Sequence, residues 1–340
     1  MHAFESCFKI MDKEKMRSTV LVYEEDRHFV LPVAMKSFFQ TTAGNGRADF
    51  FLEGWLTHTG RTLEHVLDPA EADFIFFPYD IGWLIDALGS DRAMAYLRRL
   101  PYFDEFESRH VFLDHADGQS VIETKALLFK VSIPHGFKKQ SVLQLWYQVP
   151  DHVMQSGYSF AFDKMQYDVS FVGTNTNKLR KLIVSILARE QRLRTYLDLA
   201  EGDVRAGIFH ASGPQFSGVD RQSLFRKVSQ CSLAMLCLPG LGPLSVRFFE
   251  ALFFGRVPIV LKDIGQLPFQ GVIDYERFCI FLSLHDLQNL GEVLYRKLQY
   301  RKASFKAMCE EACATWHGYF SENARHAFLC QSIVDEMEKR

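Results

Sequence analysis

A short loop, Pro239-Gly240-Leu241-Gly242-Pro243, leaves a predicted strand and enters a predicted helix near Ser245. N–H groups at the start of a helix have no intrahelical partners and carry the positive end of its dipole, so such a junction suits a phosphate. Arg247 falls in the first helical turn, and Glu250 lies one turn later on the same face. A guanidinium beside a diphosphate and a carboxylate beside a ribose diol would make a nucleotide seat. The same residues admit a plainer reading, in which the glycines make a tight turn and Arg247 with Glu250 is an ordinary i, i+3 ion pair. A second basic group stands open in the same way. Arg180, between Lys178 and Lys181, follows Gly173 and the polar turn Thr174-Asn175-Thr176-Asn177; it faces the same phosphate, or the three cations only solvate a helix start.

The elements that must hold these residues are read from apolar runs. Thr19 to Tyr23, Asp73 to Phe77, His110 to Asp114 and Ala126 to Ile133 are short and bounded by polar residues or proline, the pattern of buried parallel strands. Ser90 to Leu100 starts with a capping residue and stops before Pro101, as a helix does. The pattern restarts at Tyr167 to Val172, passes Gly173 and enters an amphipathic helix at Leu179 to Arg189. A strand at Leu233 to Leu238, the glycine loop, a helix at Ser245 to Phe254 and a strand at Val257 to Leu261 form a βαβ unit. From about Leu287 onward the chain reads as helical. The expectation is an α/β protein with two doubly wound sheets, and 340 residues are ample for two domains.

A net charge of -2 supplies no general field for a polyanion, which argues against nucleic-acid binding. The first residues mix charges into every apolar stretch and predict neither a signal peptide nor a transmembrane segment. Seven scattered cysteines, Cys7 among them, predict free thiols and a cytoplasmic location, with peripheral contact at the inner face of a membrane left open. Of 31 phenylalanines many come in pairs, such as Phe38-Phe39, Phe50-Phe51 and Phe76-Phe77, and are read chiefly as core. Cys309, Cys313 and His317 share a predicted helix face, but three ligands over two turns are too spread for one ion, so they are read as packing residues.

The stretch Cys237 to Leu261, CLPGLGPLSVRFFEALFFGRVPIVL, resembles the carboxy-terminal signature of the exostosin family, and Pro268-Phe269 with Ile273-Asp274-Tyr275 continues the likeness. In the amino-terminal half, Asp68-Pro-Ala-Glu-Ala-Asp-Phe-Ile-Phe-Phe-Pro78 resembles that family's D-P-x-x-A-D-x-F-x-x-P segment. Arg109-His110-Val111 followed by His115-Ala-Asp117-Gly118 is a looser match. The resemblance implies a GT-B fold, two Rossmann-like domains facing across a cleft. Residues 1–165 would form the acceptor side, 166–320 the nucleotide-sugar side, and 321–340 a C-terminal helix packing back on the first domain.

It further implies an inverting glycosyltransferase using a nucleotide-sugar, with UDP as the expected nucleotide, and a glycan or lipid-linked glycan acceptor in surface polysaccharide synthesis. The donor would be bound by Gly173, Arg180, Pro239, Gly240, Gly242, Ser245, Arg247 and Glu250. Three groups compete to deprotonate the acceptor: Asp117 in the loop after His110–Asp114, Asp80 just past Phe77, and His115. No aspartate-x-aspartate occurs in the sequence, so neither a metal nor another cofactor is expected. Two other readings stay open, a non-catalytic partner of another transferase and a nucleotide-sugar epimerase.

Overall fold

The run Phe74 to Tyr79 shows how the first sheet is built. Side chains alternate across a strand, and here Phe74 and Phe76 join one buried cluster while Ile75, Phe77 and Tyr79 join another on the opposite face. The same division holds for Val111 and Leu113 against Phe112, and for Leu127 and Phe129 against Leu128. Strands apolar on both faces must be covered on both, which makes them central strands of a parallel sheet.

The structure, a computed structural model, describes residues 17–25, 27, 28, 30, 49–117, 122–137, 141–154, 165–200 and 218–340. Cys7, Phe38-Phe39 and Gly118 lie outside the described residues. Two all-parallel sheets emerge. The first contains β1 (Arg17–Val22), β2 (Thr62–His65), β3 (Phe74–Asp80), β4 (His110–Asp114), β5 (Leu127–Lys130) and β6 (Val142–Gln144), in the order β2-β1-β3-β4-β5-β6. The second contains β7 (Tyr167–Thr174), β8 (Thr195–Ala200), β9 (Ser232–Leu236), β10 (Val257–Leu261) and β11 (Ile280–Leu282), in the order β11-β10-β9-β7-β8. Both are doubly wound Rossmann-like sheets. Strand order reverses between β1 and β3 in one and between β7 and β9 in the other, and ligands collect at the carboxyl ends of strands beside such reversals.

The expected strand at Ala126 to Ile133 stops at Lys130, because Ser132 takes a left-handed φ of 57° and turns the chain away. The helix expected to reach Leu100 ends at Leu97. Arg109 donates to the carbonyls of Pro69, Ala70 and Ala72, at 3.3, 3.2 and 2.9 Å. The Asp73 carboxylate accepts the Thr19 N–H at 2.7 Å. Two segments remote in sequence thus lock the amino ends of β1, β3 and β4 together.

The cluster beneath one face of the first sheet is continuous with the core of the second. The join is aromatic. Trp146, just after β6, donates its indole N–H to the Phe320 carbonyl at 3.1 Å, and the Phe320 ring meets Trp146, Phe248, Phe249 and Phe269 at centroid distances of 5.3 to 6.4 Å. Beyond Phe320, the Glu322–Met337 helix returns to the first sheet and packs on the short helix Trp55–Thr59. Among the described residues no helix is long and apolar enough to cross a membrane.

Two outcomes follow from this packing. Phe320→Ala opens a cavity shared by both lobes and should cost about 3–5 kcal/mol, read as one cooperative melting transition at lower Tm rather than loss of a single lobe. His110 is fully buried, donates to the Phe106 carbonyl at 2.9 Å, and is held down to about 4 by burial, whereas an unfolded imidazole titrates near 6.5. Its neutral form therefore contributes stability above pH 6.5 that is lost as pH falls through about 4, on the order of 3 kcal/mol. Denaturant titrations at several pH values should show that acid loss, and His110→Phe should flatten it.

Candidate functional site

Where β7 and β9 part, one side chain spans the gap. Asn177 caps the Lys178–Leu187 helix by accepting the Arg180 N–H at 2.9 Å, and this sets Arg180 inward. Its guanidinium donates to the carbonyls of Thr174 at 3.0 Å, Leu238 at 2.9 Å and Pro239 at 2.7 Å. Burial and the neighbouring Arg247 lower Arg180 to about 10. Lys178 and Lys181 stand exposed on the helix start. Arg180 therefore shapes the glycine loop from behind, holding its first carbonyls beside the end of β7. Asn177 adds bonds from its amide to the Pro239 and Gly240 carbonyls at 3.0 and 2.8 Å.

The loop ends in a capped helix as its sequence requires: Ser245 accepts the Arg247 N–H at 3.3 Å and opens the helix Val246–Phe253. Not every loop amide faces outward. The Gly240 N–H is taken by the Gly242 carbonyl at 3.1 Å and the Leu244 N–H by the Ser132 hydroxyl at 3.0 Å. Those of Leu241, Gly242 and Ser245 have no partner among the described residues. Arg247 lies along the mouth of the sheet. Its Nε–H donates to the Val172 carbonyl at 3.1 Å, its Cζ sits 4.1 Å over the Phe225 ring, and a terminal nitrogen pairs with Glu250. The Arg247 side chain keeps 23% of its surface exposed while that of Glu250 keeps 2%. Gly173 is buried, and its carbonyl accepts from Arg221 at 3.2 Å. Arg221, which also pairs with Asp198 at 3.3 Å, is a cation at this mouth that no sequence pattern marked.

Across the seam stands the carboxyl end of the first sheet. The Asp80 carboxylate accepts the Gly82 N–H at 2.8 Å, the His115 N–H at 3.1 Å and the His115 Nδ1–H at 3.0 Å. With its proton on Nδ1, His115 accepts from Arg325 of the C-terminal helix through Nε2. Asp80 and His115 are thereby committed to internal partners. Beneath them Asp114 and Lys130 form a fully buried pair at 2.7 Å, with burial pushing the Asp114 carboxyl upward against the pull of Lys130. Asp117 differs: it is half-buried, accepts the Tyr147 hydroxyl, and is raised above the usual carboxylate range chiefly by desolvation. The seam itself is tight. A Cβ on Gly242 would lie 2.4 Å from the Ser132 hydroxyl and 2.8 Å from the Asp117 carbonyl, so only glycine fits.

All three candidate bases and the glycine-loop residues thus gather where the two sheets present their carboxyl ends. Cys309, Cys313 and His317 do not come together: both thiols are buried in the core and the imidazole is exposed. Among the described residues no cluster of three or more His, Cys, Asp or Glu is placed to hold a metal ion.

Comparison with known proteins places this geometry in a family. The Exostosin GT47 domain matches residues 105–297, from just before β4 to the middle of the Leu290–Arg301 helix. The probable glucuronoxylan glucuronosyltransferase F8H of Arabidopsis thaliana is 22% identical over 297 residues, covering 74% of this chain and 62% of that protein. The probable glucuronosyltransferase GUT1 of Oryza sativa subsp. japonica is 30% identical over 84 residues, 24% of this chain and 20% of its own. The probable beta-1,4-xylosyltransferase IRX10 of Arabidopsis thaliana is 31% identical over 75 residues, 22% of this chain and 18% of its own. The chain thus spans less than two thirds of the length of these relatives. The crystal structure of TarM aligns with 70% of this chain and 56% of its own, at a TM-score of 0.36 and 8% identity. With more than half of its length matched by the domain that also covers its glycine loop, Arg247 and Glu250, the chain belongs to the Exostosin GT47 family.

Proposed function

We propose that the chain is an inverting glycosyltransferase that moves a sugar from a UDP-sugar to a hydroxyl of a glycan acceptor. The observation that carries this reading is Arg247: an incompletely buried guanidinium in the first turn of a capped helix, beside the amides of Leu241, Gly242 and Ser245, which have no partner among the described residues. Donor binding exchanges the Glu250 carboxylate on Arg247 for phosphate, and Glu250 then receives the ribose hydroxyls. Asp117 takes the acceptor proton as the acceptor oxygen bonds to the anomeric carbon. The bond from that carbon to the diphosphate breaks, and the electron pair leaves with the diphosphate, which Arg247 and the loop amides stabilise. A carboxyl raised by desolvation is a stronger base than an ordinary one, which suits Asp117 to the role. The positive charge comes from the protein, so no metal is assigned to the step. The names of the relatives, glucuronosyltransferases and a xylosyltransferase, make UDP-glucuronate and UDP-xylose the first donors to try and xylan oligosaccharides the first acceptors.

Calorimetry and thermal melting with UDP and these two donors test the seat. A ligand at a hundred times its Kd should stabilise the fold by about 2.7 kcal/mol, and absence of any UDP-dependent shift would remove the donor assignment. Glu250→Ala should weaken UDP binding by about tenfold or more, the cost of a lost bond to a charged group. Asp117→Asn should leave UDP affinity within a few-fold and lower kcat by about 10²–10⁴; transfer persisting at the native rate transfers the base role elsewhere. Turnover in EDTA should match turnover without it, and isomerised donor in the absence of acceptor would favour an epimerase.

A further inference from the structure

Hydrogen bonds run unbroken from the donor loop across the seam to the acceptor side. The Leu244 N–H donates to the Ser132 hydroxyl at 3.0 Å, Ser132 donates to the Tyr147 hydroxyl, and Tyr147 donates to the Asp117 carboxylate. Every donor points the same way, toward the one member that carries charge. Ser132 is fully buried and holds a left-handed φ of 57°, a conformation that costs a side-chain-bearing residue energy and persists only where its surroundings require it. Here that conformation delivers its hydroxyl to a backbone amide 112 positions away. Gly242 lets the loop come this close, and the Tyr147 ring is braced against Phe249 of the helix that follows the loop, at 6.1 Å.

We propose that Ser132 and Tyr147 are positioning residues that couple the Asp117 carboxylate to the donor loop, so that the base and the diphosphate seat are set together by one chain of hydrogen bonds. The inference rests on the reading of Asp117 as base and of the loop as donor seat. Hydrogen bonds in a chain polarise one another, and an ionised acceptor strengthens every donor behind it. With Asp117 ionised, the loop is drawn onto the first lobe at Leu244. When Asp117 takes the acceptor proton, the chain loses its charged end and the loop is loosened as the diphosphate has to depart. Capture of a proton on one lobe thereby promotes product release on the other. The groups facing Asp117 are Tyr147, Lys130, Arg180 and Asp86. The first three favour its anion and Asp86 opposes it, while Asp114 faces Tyr147 from the sheet below.

Amide exchange in the full chain reads this coupling without an acceptor. Protection of the peptide spanning 240–248, corrected for the intrinsic pH dependence of exchange, should fall by about tenfold as pH drops through the raised Asp117 titration. Tyr147→Phe keeps the ring but cuts the link to the charge, so protection should become independent of pH, and Asp117→Asn should do the same. Ser132→Gly, which accommodates the left-handed backbone while removing the hydroxyl, should expose Leu244 at every pH. Protection of β9 and β10 reports that each variant is folded. PH-independent protection in the native chain, or a native pH profile in Tyr147→Phe, overturns the coupling. UDP calorimetry on the same samples separates the two ideas. UDP binding with a flat exchange profile removes the coupling alone, whereas a pH-dependent profile without UDP binding upholds the coupling and removes the donor reading.

Discussion

The guanidinium of Arg180, planted between the carbonyl ends of β7 and β9, fixes where the second sheet opens. Strands that part at a topological reversal leave carbonyls facing a gap, and buried acceptors without donors cost about 1–3 kcal/mol each. Arg180 satisfies three of them at once and is itself taken from water to do so. From that anchor the geometry of the mouth follows. The loop must leave β9 over the guanidinium, Asn177 ties down its first two carbonyls, Ser245 caps the helix it enters, and Arg247 is brought back against the Val172 carbonyl at the end of β7. A buried cation thus orients one that keeps part of its surface exposed.

The two lobes differ in how they treat charge. In the second, positive groups line the mouth, and the carboxylates of Glu250 and Asp198 pair with two of them. In the first, Asp80, Asp114 and Asp117 crowd one corner with Lys130 sealed beneath, and each carboxylate has a separate partner. Desolvation raises the Asp114 and Asp117 carboxyls, and the nearby Asp80 carboxylate adds to the rise at Asp114. Asp117 is the outermost member of this corner, half-buried against Tyr147, and Asp114 is sealed beneath it. The shared aromatic core around Phe320 holds the two corners at a fixed approach, which is why a glycine is required at 242.

How much of this could be read from the chain alone depended on range and on burial. The strands read from apolar runs, β1, β3, β4, β5, β7, β9 and β10, are interior. The four that escaped notice, β2, β6, β8 and β11, are the four sheet edges. Thr62–His65 and Thr195–Ala200 keep one side toward water and carry polar residues, so no apolar run marks them, while Val142–Gln144 and Ile280–Leu282 are only three residues long, too short to show a period. The Ser245 cap and the Arg247–Glu250 spacing were legible because helix geometry relates neighbours. That Arg180 would serve carbonyls 58 and 59 positions away, or that Tyr147 would meet Asp117 and Ser132 would meet Leu244, was not, because only tertiary contact brings them together. The choice among Asp117, Asp80 and His115 was open for the same reason: what distinguishes them is a partner such as Arg325, 210 positions from His115.

That last contact bears on how the protein is made. Ribosomes deliver the Glu322–Met337 helix only after both sheets have been synthesised, yet it supplies Arg325 to His115, and Phe320, two residues before it, supplies the carbonyl for Trp146. A nascent chain with both sheets complete still has the His115 imidazole without Arg325 and the Trp146 indole without the Phe320 carbonyl. The first lobe is therefore translated before the second yet completed after it, and until the Glu322–Met337 helix docks, its unfinished surface is what a chaperone would meet.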